Sequence, residues 1–357
     1  NFRRIKDNPR IKVFTLAEVK KVSGAAGSYD VSIKLSPRYV NENCTCCGDC
    51  AEACETEIDS DYDFGMKKVK GAYLPFEMAF PSRYVISPQI IGTEDAQKCA
   101  DVCKYDAVDL AMESKTIDLQ VGSVVWSTGW EPYDATKIDN LGFGQYDNII
   151  TNMMMERLAS PNGPTKGTIV RPSDDKAPES IAFVQCAGSR DENHLPYCSY
   201  ICCMASLKQA TYVRERYPEA KIYIFYIDLR APGYRYEQFY EKIKADENVF
   251  FVKGKVAEVS EDPNSKNITV VAENAVTGEK VHQTVDMAVL ATGMQPTAAN
   301  AKLPADLKYN ADGFVINDFG KGGMFAAGCA NKPADVVSSN QNATGMALKA
   351  IQTLVRR

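Results

Sequence analysis

Basic charge is not in excess in this 357-residue sequence. Its 41 Lys and Arg against 46 Asp and Glu leave a formal net charge of −5, which gives no electrostatic case for nucleic acid or an anionic membrane surface. No run of about 18 apolar residues occurs, so no segment reads as a membrane-spanning helix. There is no low-complexity tract and no visible secretory signal. Histidine is nearly absent, with only His194 and His282. Also missing is any Gly-x-Gly-x-x-Gly, the loop that opens a dinucleotide-binding fold and holds a pyrophosphate.

Cysteine, by contrast, is plentiful, with twelve residues. They are bunched as Cys44, Cys46, Cys47, Cys50 and Cys54, then Cys99 and Cys103, then Cys186, Cys198, Cys202 and Cys203, with Cys329 alone. Disulfide frameworks belong mainly to small secreted domains. Here the length points to two or three units, and 45% hydrophobic residues can build a sizeable core. Bunching at two- and three-residue spacing in such a chain reads as metal binding.

Short strands are expected at Ile11–Thr15, Val19–Gly24 and Tyr29–Leu35, separated by turns such as Gly24-Ala-Ala-Gly27. From Tyr39 to about Leu110 periodicity fades and cysteine, Asp and Pro take over. Strand character returns at Thr116–Val121 and Val124–Trp126, so the middle reads as a small insert between strands of a larger domain. Strand Ile181–Val184, a helix around Ala205–Tyr217, strand Lys221–Tyr226, helix Tyr236–Ala245 and strand Val249–Val252 make a βαβ series of a parallel sheet. Val256–Ser260, Ile268–Glu273 and His282–Met287 predict an antiparallel meander, closed by Val289–Gly293.

One local signal occurs twice. Val124-Val-Trp-Ser-Thr-Gly129 and Ala288-Val-Leu-Ala-Thr-Gly293 are each an apolar strand running into Thr-Gly. The doubling resembles two-domain flavoprotein disulfide reductases, in which the glycine lets backbone approach a nucleotide. Gly323-Met-Phe-Ala-Ala-Gly328 and a helix from about Asp335 fit the same plan. That resemblance implies FAD beside Thr128, Gly129, Thr292, Gly293, Gly328, Cys329, Pro333 and Val336, with the helix N-terminus favouring negative charge on the flavin. Cys329 stands where the resembled enzymes carry Asp. The pyrophosphate loop is expected to lie before Asn1.

Cys44-x2-Cys47-x2-Cys50-x3-Cys54 has the spacing of the bacterial ferredoxin run. Glu55 stands where Pro usually follows, and Cys46 reads as a bystander. In two-cluster ferredoxins each cluster takes three cysteines from one run and a fourth from the other. The second run here keeps only Cys99-x3-Cys103, so Cys54 and Cys99 are too few for a second cluster. The expectation is one [4Fe–4S] cluster on Cys44, Cys47, Cys50 and Cys103, with Cys54 as the alternative fourth ligand.

Cys186 replaces the first glycine expected in the nicotinamide-dinucleotide turn, Gln185-Cys-Ala-Gly-Ser-Arg190. Cys198, Cys202 and Cys203 follow, and His194 lies between them, able to tune or ligate. Spacing alone supports zinc, a redox disulfide or a distorted cluster. The run Gln185–Arg190, then Tyr197-Cys-Ser-Tyr-Ile-Cys-Cys-Met204, Leu207-Lys-Gln-Ala210, Asp228-Leu-Arg230 and Tyr236–Tyr240 resembles the A-type flavoprotein of heterodisulfide reductases. Within that family, the short length and reduced second run look most like the A-type flavoprotein of the quinone-interacting membrane-bound oxidoreductase (Qmo) complex of sulfate-reducing bacteria.

The resemblance implies an α/β, two-domain thioredoxin-reductase-like flavoprotein with doubled Rossmann domains, an inserted ferredoxin-like domain and a missing N-terminal Gly-rich portion. Residues 1–40, 113–178 and 288–357 would form the FAD domain, 41–112 the insert, and 179–287 the second Rossmann-like domain. It further implies an atypical second [4Fe–4S] cluster on Cys186, Cys198, Cys202 and Cys203. The expected role is electron transfer between a quinone-linked membrane partner and a soluble one such as adenylylsulfate reductase, alongside B- and C-type subunits. Such a protein would be cytoplasmic and reach the inner face of the membrane only through its partners. The competing readings are a bifurcating flavoprotein, an NAD(P)-dependent disulfide reductase and a non-enzymatic scaffold.

Overall fold

Tyr29, Val31 and Ile33 are buried while their neighbours are more exposed, the alternation of a strand with one face on a core. This strand, β2 (Ser28–Leu35), pairs antiparallel with β1 (Ala17–Ala25). The chain then leaves the sheet and carries helices α1 (Asp49–Ala53) and α2 (Glu94–Asp101). It returns as β3 (Lys115–Val121) on the other edge of β2. The excursion includes the stretch that the sequence sets apart, residues 41–112. The computed structural model describes residues 2–320 and 322–355. It divides the chain into two compact units, residues 1–123 with 304–306, and residues 124–303 with 307–357.

Cysteine does much of the work of a core in the insert. Cys50, Cys54 and Cys99 are buried with Val40, Ala72, Ile86, Ile90, Ala96 and Ala107. The Thr93 hydroxyl accepts from the Ala96 amide and caps α2. Asp95 on the same turn accepts from the Thr56 amide at 2.6 Å, which ties the chain just past Cys54 to the helix bearing Cys99. Ile11–Thr15 is not a strand. Its apolar residues are largely exposed, and a strand needs a neighbour to pair its amides.

In the second unit, β4 (Val124–Trp126) precedes a five-stranded parallel sheet. Its strands are β5 (Ile149–Thr151), β6 (Ser180–Ala187), β7 (Lys221–Tyr226), β8 (Val249–Lys253) and β9 (Met287–Thr292), in the spatial order β5-β9-β6-β7-β8. Helices α3 (Cys202–Arg216) and α4 (Tyr236–Lys244) make the crossovers from β6 to β7 and from β7 to β8. Strands at 256–261, 268–273 and 280–285 form the expected meander. However, β9 does not close it. All six residues of β9 are buried, the pattern of a strand covered on both faces, and it enters the parallel sheet beside β6. The sheet therefore draws on residues 149–151 and 287–292 as well as the expected 179–287. Finally, β10 (Met324–Ala326) pairs parallel with β4, and α5 (Val336–Val355) follows.

Phe183 is fully buried at the centre of β6. Phe183→Ala is expected to cost about 3–5 kcal/mol through lost burial and the cavity left behind, read as a lower midpoint in denaturant unfolding; a midpoint equal to the parent's would contradict this packing.

Candidate functional site: two cysteine centres and an apolar cavity

Ligands in parallel sheets collect outside the carboxyl ends of strands where the connections diverge. Here β6 is followed in space by β7 on one side and β9 on the other, and the carboxyl end of β6 carries Cys186. The β6–β9 ladder shifts register between Val184 and Ala187, and Cys186 adopts a left-handed φ of 58°. Both re-aim the thiol, and strain at a non-glycine residue is typical of a functional position. Cys202 and Cys203 are the first residues of α3, whose preceding residue Ile201 provides no side-chain cap. That helix end leaves amide donors free and favours negative charge, as thiolate ligands require.

The loop from Cys186 to Cys198 is tightly self-bonded. Leu195 N donates to Gly188 O at 2.9 Å and Arg190 N to Tyr197 O at 3.0 Å. The Ser189 and Ser199 hydroxyls meet at 2.7 Å, and Ser199 also accepts from Met294 N at 2.8 Å. His194 meets the Tyr133 hydroxyl through Nδ1 at 3.0 Å, so its ring is engaged there. Tyr200 N donates to Cys198 Sγ at 3.4 Å, and Cys202 Sγ donates to Thr292 O at 3.7 Å. Burial pushes the Cys186 thiol up to about 11, with Cys203 adding to the effect and Arg190 opposing it. Burial likewise raises Cys202, reinforced by Cys186, Cys203 and Cys198. Cys186, Cys202 and Cys203 are thus each raised, by burial first and then by neighbouring thiols. As free thiols these three resist ionisation, and they suit a site in which a cationic group offsets the charge.

The two Thr-Gly turns prove unlike. Thr292 is buried and its hydroxyl donates to Asn152. A Cβ on Gly293 would lie 2.6 Å from Ser189 Oγ and 2.5 Å from Leu195 Cδ1. This pair therefore closes the cysteine loop. Thr128-Gly129 instead follows β4, next to the Gly328-Cys329 turn that follows β10, with Ala327 N donating to Trp126 O at 2.9 Å. Gly129 has a φ of +74° and open space where a Cβ would stand, so backbone there is free to approach a ligand. Asp335 accepts from Ser338 N at 2.7 Å and caps α5.

Beside this turn lies a cavity of 840 Å³ lined by Trp130, Tyr200, Ile201, Met204, Met294, Cys329 and Val336, among others. It has the size and apolar, aromatic lining of a cofactor site. Pro333, Gly328 and both Thr-Gly pairs are not among its lining residues. Tyr200, Ile201 and Met204 flank the Cys202–Cys203 pair, so cavity and cysteines share one helix start. Two buried polar groups lack a partner among the described residues, the Trp126 indole nitrogen on β4 and the Gln185 amide beside Cys186. Such orphans ask for an explanation, and an additional bound group is one.

In the insert, a small cavity is lined by Cys44, Cys47, Cys50 and Cys103, together with Tyr84 and Gly48. These are the four expected ligands, and Cys54 is not among the lining residues. Cys46 takes φ 58° and Gly48 φ 97°, turning the loop around the space, and Ala107 N donates to Cys103 Sγ at 3.3 Å. Cys46 itself meets Ser82 Oγ at 3.3 Å. Cys54 and Cys99 instead sit in the insert core, where Cys99 donates to Cys50 O at 3.3 Å and Cys54 to Thr56 O at 3.6 Å. Burial, then the charges of Cys54 and Cys50, raise Cys99. Among the described residues, no three His, Cys, Asp or Glu side chains are gathered closely enough to hold a single metal ion. Reading the sequence did not assign roles to Asp228, Arg230, Tyr200 or Met204. The Asp-x-Arg just past β7 was the available signal.

No family model matches the chain. Curated relatives do. The chain is 38% identical to the second of the A-type iron-sulfur subunits of CoB–CoM heterodisulfide reductase in Methanopyrus kandleri, over 98% of this chain and 55% of that protein. It is 37% identical to the A-type subunit of the H(2)/formate:CoB-CoM heterodisulfide,ferredoxin reductase of Methanococcus maripaludis, over 96% and 53%. It is 36% identical to the A-type iron-sulfur subunit of the CoB–CoM heterodisulfide reductase of Methanocaldococcus jannaschii, over 96% and 54%. The chain thus spans about half the length of these relatives. Among solved structures, a Lactococcus lactis thioredoxin reductase aligns at a TM-score of 0.45 and 14% identity, covering 80% of this chain and 86% of that one.

Because Ser189 and Ser199 are locked to each other, Gly293→Val leaves no easy retreat for the loop. It is expected to destabilise the protein by about 1–3 kcal/mol through overpacking, seen as a lower thermal midpoint; an unchanged midpoint would show that the loop does not rest on this glycine.

Proposed function

We propose that this chain is a redox subunit that carries one FAD and two [4Fe–4S] clusters and passes electrons between partner proteins. The observation that carries the reading is that Cys186, at the carboxyl end of β6, and Cys198 and Cys203 all act on Cys202, at the start of the helix that also walls the 840 Å³ cavity. FAD exchanges electrons in pairs and clusters pass them singly, so such a protein's task is positioning and tuning. Cys44, Cys47, Cys50 and Cys103 would hold the cluster of the insert. The remaining four would hold the atypical one, with adjacent Cys202 and Cys203 pulling it away from a regular cube. Gly129 would let backbone approach the flavin, the start of α5 would favour negative charge on it, and Trp130, Tyr200 and Met204 would exclude water.

Two assemblies suit such a protein. One is a quinone-interacting membrane complex with B- and C-type subunits and adenylylsulfate reductase as soluble partner, the resemblance drawn from the reduced second cysteine run. In that assembly membrane attachment would come from partners. Among the described residues no helix is long and apolar enough to cross a bilayer. The other is a heterodisulfide reductase complex, whose A-type relatives have names that include ferredoxin and the CoB–CoM heterodisulfide. An NAD(P)-dependent reductase is disfavoured, because Ser189, Leu195 and Ser199 fill the strand end where a nicotinamide dinucleotide would lie.

Anaerobic iron, sulfide and flavin analysis of the full-length protein tests the reading. Cys103→Ser and Cys202→Ser should each lose about four irons, one cubane, while Cys54→Ser keeps the parent's iron. Loss of iron from Cys54→Ser but not Cys103→Ser would mean a locally closed insert site. Zinc in the parent would end the cluster reading. NADH and NADPH should leave the flavin oxidised on the catalytic timescale, and rapid bleaching by either would restore the reductase reading.

A further inference from the structure

We propose that Arg190 and Arg230, gripped together by Asp228, form a cationic clamp that raises the reduction potential of the centre held by Cys186, Cys198, Cys202 and Cys203. The inference rests on reading those cysteines as cluster ligands. Asp228 lies two residues past β7, the strand next to the one that carries Cys186. Its Oδ1 accepts from Arg190 Nη1 at 2.6 Å and from Arg230 Nε at 3.2 Å, and its Oδ2 from Arg230 Nη2 at 3.3 Å. One carboxylate therefore orients two guanidiniums, and the trio keeps a net positive charge.

That charge faces the thiols. Cys203 Sγ donates to the Asp228 carbonyl at 3.8 Å, which places the trio against the start of α3. The Arg230 side chain contacts Cys198, and the Arg190 side chain contacts Cys186. Arg190 adopts φ 57° here, an uncommon conformation for a residue with a Cβ. Partly exposed ion pairs contribute little to stability, so stability is a poor reason for that strain. A charge-tuning role is a better one. Reduction adds one electron to the thiolate-bound centre, and a fixed net positive charge beside it favours the reduced form.

The test is a redox titration of the full-length protein followed by low-temperature EPR, with iron and sulfide measured on every sample. Arg230→Gln and Arg190→Gln should each weaken reduction of this centre about tenfold, a fall of about 59 mV for one electron, with iron content unchanged. Arg230→Lys, which keeps the charge, should recover most of the loss. A merely structural role would alter iron content or thermal stability and leave the potential in place. The two glutamine variants approach Asp228 from different segments, so failure of one to take up iron leaves the other to decide. Intact centres with parental potentials in both overturn the clamp while sparing the cluster reading. Iron that survives Cys202→Ser overturns that reading, and the clamp with it.

Discussion

A buried thiol is cheap to keep neutral and costly to ionise, and much of this structure turns on that constraint. Cys186, Cys202 and Cys203 are driven upward in pKa mainly by burial, and Cys50 in the insert is driven the same way, to about 11. Isolated, such cysteines would be inert core residues. Here they stand together, on a strained strand end, at an uncapped helix start, beside two arginines. Each device lowers the cost of negative sulfur. The arrangement makes physical sense if a cationic cluster completes it, because metal binding and ligand deprotonation are one coupled event.

The parallel sheet supplies the placement. Cys186 stands at the end of β6, between the diverging neighbours β7 and β9, where an open α/β sheet presents its crevice. The related nucleotide-binding plan would put a glycine-rich turn and a dinucleotide there. In this chain a short loop knotted by Ser189, Leu195 and Ser199 fills the crevice and rests on Gly293. The second cavity, between the β4 and β10 turns and the start of α3, stays open. One sheet end is thus given to sulfur, and the neighbouring space to an apolar, aromatic ligand surface.

Much of this was legible beforehand. Cysteine spacing set out both groups, and Cys103, which counting ligands favoured over Cys54, lines the same small cavity as Cys44, Cys47 and Cys50. The short run Tyr29–Leu35 between turn-prone stretches and the apolar runs of β6 to β8 marked their own strands. Other features were not local. The capture of β9 by the parallel sheet depends on a partner more than a hundred residues away, and its apolar run fits either a meander or a buried strand. Thr128-Gly129 and Thr292-Gly293 look alike as strings, but only packing distinguishes an open turn from one sealed by two serines. Ile11–Thr15 has strand-forming residues and no ladder to join. The Asp228 clamp escaped notice because its members come from separate turns and meet only in the fold.

A native mass spectrum of the anaerobically purified full-length protein tests most directly whether this region is built around flavin and sulfur-bound iron. The account predicts a mass above the polypeptide that includes one FAD and both clusters, with the mass of one cluster disappearing in Cys202→Ser. A spectrum in which zinc replaces iron, or in which the added mass is the same in Cys202→Ser as in the parent, would contradict it.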